Sequence, residues 1–143
     1  MDDMSSQGEV LQLRLVVEAT DFEEAVAFYR DALGMEEEFF VEGEGGALVM
    51  ALKAGRATLE IVNPAQRLLI DRLEVGSEVS RSIRVGFEVA DATSSTDRLV
   101  AAGAELLAAP TETPWRSLNS RLEAPAGLQI TMFEELDDTV VGE

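Results

Sequence analysis

The chain has 143 residues, 46% hydrophobic and 27% charged, the composition of one soluble globular domain with enough length to bury an ordinary core. It contains neither cysteine nor histidine, which excludes disulfides, thiolate metal sites, a thiol nucleophile, the commonest metal ligand and the usual neutral-pH general base. A formal net charge of −17 argues against nucleic acid as a partner and for cationic small molecules or basic proteins.

Residues 1–8 are acidic and polar, the reverse of an export signal, and read as a disordered tail. No stretch approaches the ~18 apolar residues of a membrane span, so a cytoplasmic protein with no membrane partner is expected. Leu11 to Val17 is apolar apart from Gln12 and Arg14 and predicts a strand with one buried face. Thr20 is placed to cap a helix, with Glu23 at the reciprocal capping-box spacing. Phe22, Ala25, Val26, Tyr29, Ala32 and Leu33 recur at helical intervals through Asp21 to Leu33, and Gly34 supplies the left-handed stop. Three strands follow, at about 36–41, 47–52 and 57–62, joined by glycine-containing loops.

Asn63-Pro64 caps a short helix running to about Leu73, and Gly76 to Ser80 reads as linker. The order then repeats: a strand at 82–89, a helix at 92–102 ended by Gly103, and strands at 105–109, 115–122 and 128–133. Arg14-Leu-Val-Val-Glu18-Ala-Thr-Asp21 aligns without gaps on Arg84-Val-Gly-Phe-Glu88-Val-Ala-Asp91, and the same elements follow each copy. The expected organisation is a first βαβββ module at 9–63, a linker with a short helix at 64–80, a second module at 81–136, and an acidic tail at 137–143. Each half is too small to bury much core alone, so the two should share one.

The helix Thr20 to Met35, with Phe28-Tyr29 followed by Leu33-Gly34, resembles that of the vicinal oxygen chelate superfamily. This group includes glyoxalase I, bleomycin resistance proteins and extradiol dioxygenases. Pro114-Trp115 and the turn Ala124-Pro125-Ala126-Gly127-Leu128-Gln129-Ile130 resemble the end of that fold. The resemblance implies an α+β protein in which two tandem βαβββ modules form an open, cup-shaped mixed sheet with helices outside, commonly completed by a homodimer. It also implies four metal-ligand points, which fall on Arg14, Glu60, Arg84 and Thr131. Arginine offers no lone pair and threonine is a weak neutral ligand, so no metal and no cofactor are expected there.

Strand alternation places Arg14, Val16 and Glu18 on one face, and Arg84, Gly86 and Glu88 on the equivalent face of the second copy. If these faces line the cup, the two arginines either pair with Glu60, Glu18 or Glu88, or bind a ligand's carboxylate, phosphate or planar acceptor edge. Glu60 between two arginines is expected to have a depressed pKa, making it a weak catalytic candidate. Glu18 and Glu88 are further ligand-contact candidates. One of Phe39 and Phe40 should face the cup. Trp115, on a predicted strand with Arg116 and Asn119, is either a stacking wall for a flat ligand or packing at a sheet edge or dimer seam. The run Glu36-Glu37-Glu38 reads as a solvated surface able to steer cations. No dinucleotide or phosphate-loop motif is present, and the serines have no histidine to activate them.

Three readings follow. The first is metal-free binding or sequestration of a small molecule, cationic or planar, in the manner of bleomycin resistance proteins. The second is an enzyme of the superfamily, a lyase, isomerase or dioxygenase relative with a non-standard site. The third is a non-catalytic dimeric interaction module.

Overall fold

The computed structural model describes residues 9–136; the tails expected at 1–8 and 137–143 lie outside the described residues. The strands are β1 (Gln12–Glu18), β2 (Glu37–Glu42), β3 (Leu48–Ala54), β4 (Ala57–Val62), β5 (Ile83–Glu88), β6 (Glu105–Glu112), β7 (Ser117–Ala124) and β8 (Leu128–Glu135). The helices are α1 (Phe22–Val26), α2 (Pro64–Glu74) and α3 (Ala92–Ala101). All eight strands form one open mixed sheet in the order β2-β3-β4-β1-β5-β8-β7-β6. Each module closes on itself by a parallel pair, β1 with β4 and β5 with β8. The modules meet at the antiparallel β1–β5 pair, where Arg14 lies opposite Gly86 and Val16 opposite Arg84. The duplicated βαβββ order is thus present in three dimensions.

Period-two alternation divides the apolar residues between the sheet's two faces. Under α1 a core forms from Phe22, Val26, Met50, Leu52 and Ile61. Under α3 its counterpart is Val85, Val89, Ala92, Leu122, Ile130 and Met132. A third group, Val16, Val49 and Val62 with Phe39 and Val41 packed against it, sits on the concave face. Among the described residues no helix is long and apolar enough to cross a membrane.

Three local expectations are corrected. The cap of α1 is Asp21, whose carboxylate accepts from the Glu24 amide at 3.0 Å, one residue beyond Thr20. After Val26 the helix widens to a π-helix over Ala27–Ala32 instead of continuing as α to Leu33. Leu33 donates to the Phe28 carbonyl, and Phe28 and Leu33 are left exposed. The seventh strand starts at Ser117, because Thr113 to Arg116 forms a tight turn closed by Thr113 N–H to Ser117 O at 2.8 Å. Arg116 has φ +66° there. Trp115 therefore stands on a turn and not on a strand.

The connecting helix α2 starts where expected. Asn63 accepts from the Gln66 amide at 2.9 Å and the Leu48 amide at 3.0 Å, and donates to the Gly46 carbonyl at 2.8 Å. One side chain thus caps α2 and fastens it to the loop before β3. The far end is tied down by Asp71, which accepts from the amides of Val79 and Ser80 and from the Ser80 hydroxyl. The segment after Gly76 is therefore anchored to α2.

Candidate functional site

The concave face and the inner side of α2 enclose a cavity of about 450 Å³, within the range of small-molecule sites. Its walls are mostly apolar: Val16, Phe39, Val41, Val49 and Val62 from the first module, Leu69, Ile70 and Leu73 from α2, and Trp115 and Phe133 from the second. Phe39 is the member of the 39/40 pair that faces inward; Phe40 turns outward toward Phe22, with ring centroids 6.3 Å apart. The connecting helix, which reads in the sequence as linker, supplies a whole wall.

The floor is ionic. Arg14, Glu60, Arg84 and Thr131 all line the cavity, brought together by the β4-β1-β5-β8 centre of the sheet. Arg14 Nε lies 3.4 Å from Glu60 Oε2, and Arg14 Nη2 lies 3.4 Å from Glu135 Oε2. The same guanidinium sits over the Phe133 ring, 4.4 Å from its centroid, a cation–π contact. Gly86 lies beside that stack: a Cβ there would make ordinary van der Waals contact, 3.4 Å from the Phe133 ring and 3.8 Å from Arg14 Cβ. Arg84 makes a different set of contacts. Its Nη1 donates to Thr131 Oγ1 at 2.7 Å, and among the described residues no carboxylate is recorded within 4 Å of it.

Glu60 departs from the expectation of a depressed pKa. Burial pushes it above the usual carboxylate range, and the opposing attraction of Arg14 and Arg84 does not overcome that. The geometry shows why. Glu60 Oε2 and Arg14 Nε are both buried and neither has a hydrogen-bond partner, so they face each other as a loose pair. Burial, and then the neighbouring Arg121 guanidinium, push the pKa of Arg84 down from its usual value.

Two sequence candidates lie outside the cavity lining. Glu18 pairs with Arg67 of α2 at 3.1 Å, fastening the connecting helix to β1. Glu88 is half-buried beside the cup, its pKa raised by burial and by the nearby Glu135. Trp115 does reach the cavity, from its turn.

The sequence reading left out Glu135 and Glu74, which also line the cavity, and the buried cluster behind Glu74. Arg121 is fully buried; its Nη2 meets Glu74 Oε1 at 2.6 Å and its Nη1 meets Asp71 Oδ1 at 3.0 Å. Nη1 also donates to Ser80 Oγ and Gln129 Oε1. Asn119 donates to Glu74 Oε2 at 2.7 Å and accepts from Ser117 Oγ, and Ser117 closes the Trp115 turn with Thr113. One connected polar chain therefore joins α2 to the turn that carries Trp115, tying two walls of the cavity together. The signal was present: alternation puts Ser117, Asn119 and Arg121 on one face of β7, and Asp71 and Glu74 lie one turn apart on α2. The same alternation puts Thr131, Phe133 and Glu135 on one face of β8.

A divalent metal does not fit Arg14, Glu60, Arg84 and Thr131, the four positions at which the sequence resemblance implies metal ligands. Two are guanidinium groups, which only donate, and a third, the Thr131 hydroxyl, already accepts from one of them. Glu60 is the one anionic ligand of the set, and its Oε2 faces Arg14.

A family model described as a glyoxalase-like domain matches residues 14–133. Among solved structures, a hypothetical protein from Bacillus halodurans C-125 is similar with a TM-score of 0.64 and 12% identity, over 90% of this chain and 95% of that one. Methylmalonyl-CoA epimerase from Mycobacterium tuberculosis is similar with a TM-score of 0.62 and 16% identity, over 92% of this chain and 90% of that one. A glyoxalase/bleomycin resistance protein/dioxygenase superfamily member from Vibrio splendidus 12B01 has a TM-score of 0.59 and 12% identity, over 86% and 97%. At these identities the likeness shows the fold alone. No curated protein matches the sequence.

Proposed function

The chain belongs to the glyoxalase-like domain family, within the glyoxalase/bleomycin resistance/dioxygenase superfamily, and from that premise we propose that it binds a small molecule in its cup without a metal ion. The observation that carries this reading is the cavity itself: apolar walls above a floor where Arg14 and Arg84, two groups that cannot ligate a metal, line the cavity. Arg14, held by Glu60, Glu135 and Phe133, acts as a built-in cation that organises the floor. The ligand has a flat apolar body matched to Phe39, Trp115 and the α2 side chains. Sequestration of such a molecule is the activity this arrangement suits.

Trp115 is the only tryptophan and lines the cavity, so its fluorescence reports occupancy. Chelator-treated protein should bind flat aromatic compounds with saturable change in Trp115 emission. Binding that requires an added divalent metal, or no binding across a broad aromatic set, would overturn the reading.

A second reading rests on Glu60. A buried carboxylate with a raised pKa, facing a ligand cavity, is suited to exchanging a proton with what binds there. An enzymatic role of this kind predicts that Glu60→Gln keeps ligand binding and loses turnover. Turnover that survives this substitution excludes Glu60 as the acid–base group.

A further inference from the structure

Building on the metal-free cup, we propose that its ligand is an organic monoanion, a flat apolar molecule whose carboxylate is taken by the open donors of Arg84.

The argument is one of charge partners. Each carboxylate lining the cavity faces an arginine: Glu44 pairs with Arg72 at 2.8 Å, Glu74 with Arg121, and Glu60 and Glu135 share Arg14. Arg84 alone among these cations has no carboxylate partner among the described residues. Its one recorded hydrogen bond goes to the neutral Thr131 hydroxyl and uses one of the five guanidinium N–H donors. A half-buried cation with no carboxylate in contact carries a desolvation cost, and that cost is relieved when an anion arrives. Burial works against the charged form of Arg84, as its lowered pKa records.

The same accounting sets the ligand's charge. A cationic head in the cup would meet Arg84, while Glu60 and Glu135 are both already turned to Arg14. A dianionic phosphate would bring a second negative charge with no second unpaired arginine, beside Glu60, Glu74 and Glu135. A carboxylate matches one open, planar fork. The formal charge of −17 opposes an anion only from a distance, since exposed charges are screened over about 8 Å at physiological ionic strength. Contact with a partly buried guanidinium is screened much less.

The test is a matched series on one ring system: 2-naphthoate, 2-naphthamide, 2-(aminomethyl)naphthalene and 2-naphthyl phosphate, titrated calorimetrically into the full chain with chelator present. The acid should bind about tenfold to a hundredfold tighter than the amide, the range of a charge-assisted bidentate contact, and tighter than the amine and the phosphate. Arg84→Gln should abolish the preference for the acid over the amide. Arg84→Lys, which keeps the charge without the fork, should retain part of it. Arg56→Ala, on the exposed β3–β4 turn, should change nothing. Equal binding of acid and amide, preference for the amine or the phosphate, or an acid preference that survives Arg84→Gln would overturn the proposal while leaving a ligand-binding cup in place. Failure of all four compounds to bind would overturn the cup reading together with it.

Discussion

Replacing Arg121 with methionine, which fills a similar volume without the charge, is the sharpest test of how the cavity walls are joined. The guanidinium is fully buried and meets Asp71, Ser80, Gln129 and Glu74 at 2.6 to 3.2 Å. Without it, Asp71 keeps three donors, the two amides of Val79 and Ser80 and the Ser80 hydroxyl. Glu74 keeps only Asn119, so the damage falls on Glu74. Removing one partner of a buried pair costs about 3–5 kcal/mol. With an unfolding entropy of roughly 2.1 cal/mol/K per residue, that lowers the melting temperature by about 10–17 °C. A buried carboxylate without its counter-ion escapes the cost by taking up a proton, so the deficit should be larger at pH 7.5 than at pH 5. Glu74→Gln in the Arg121→Met background should recover part of the loss. Calorimetric melts of the three proteins at both pH values read this directly. A loss below about 1 kcal/mol at both pH values, or a deficit that grows on acidification, would refute the account of the cluster.

Burial holds the folded-state pKa of Glu60 above its ordinary value of 4.5, so the folded chain binds that proton more tightly than the unfolded one. Its contribution is complete below about pH 4.5 and is lost as pH rises through the folded value. Urea titrations from pH 5 to 8 should therefore show Glu60→Gln gaining stability relative to wild type as pH rises, and a constant difference would contradict the assignment. Asp71 has the opposite sign. Burial alone would raise its pKa, but hydrogen bonds from Ser80 and Val79, with Arg121, hold it below its ordinary 3.8. Its stabilisation is present above about pH 3.8 and lost below it as the folded value is crossed, so the gap between wild type and Asp71→Asn should close only in that acid range. Asn63→Ala removes a helix cap and two further hydrogen bonds and should cost about 2–3 kcal/mol in a urea titration; a change within experimental error would mean that α2 is not anchored there. For 2-naphthoate, stopped-flow association should speed up as salt is raised, because salt screens the acidic exterior, and a slower association would contradict that picture.

Much of the architecture was legible because it is written in local patterns. The Arg14–Asp21 and Arg84–Asp91 copies marked the two modules, alternation sorted core from cup faces, and Asn63-Pro64 located α2. The errors lie where a local preference competes with an equivalent neighbour or with distant packing. Thr20 and Asp21 both offer capping oxygens, and the choice between them depends on backbone direction after β1. Trp115 has strand propensity, yet the Thr113–Ser117 closure turns the chain there. Arg14 and Glu60 were found as neighbours, but the sign of the Glu60 shift depends on how completely burial outweighs a loose ion pair, which no spacing encodes. The Arg121 cluster escaped because its acids and its base are separated by most of the second module and meet only after α2 folds over the sheet.

The most direct measurement is elemental analysis of the full chain purified without chelators, made on the same sample used for ligand titration. The account predicts substoichiometric divalent metal and unimpaired binding, because Arg14 and Arg84, which only donate, line the floor of the cavity. One equivalent of nickel, zinc, manganese or iron per chain, lost on Glu60→Gln together with ligand binding, would contradict it.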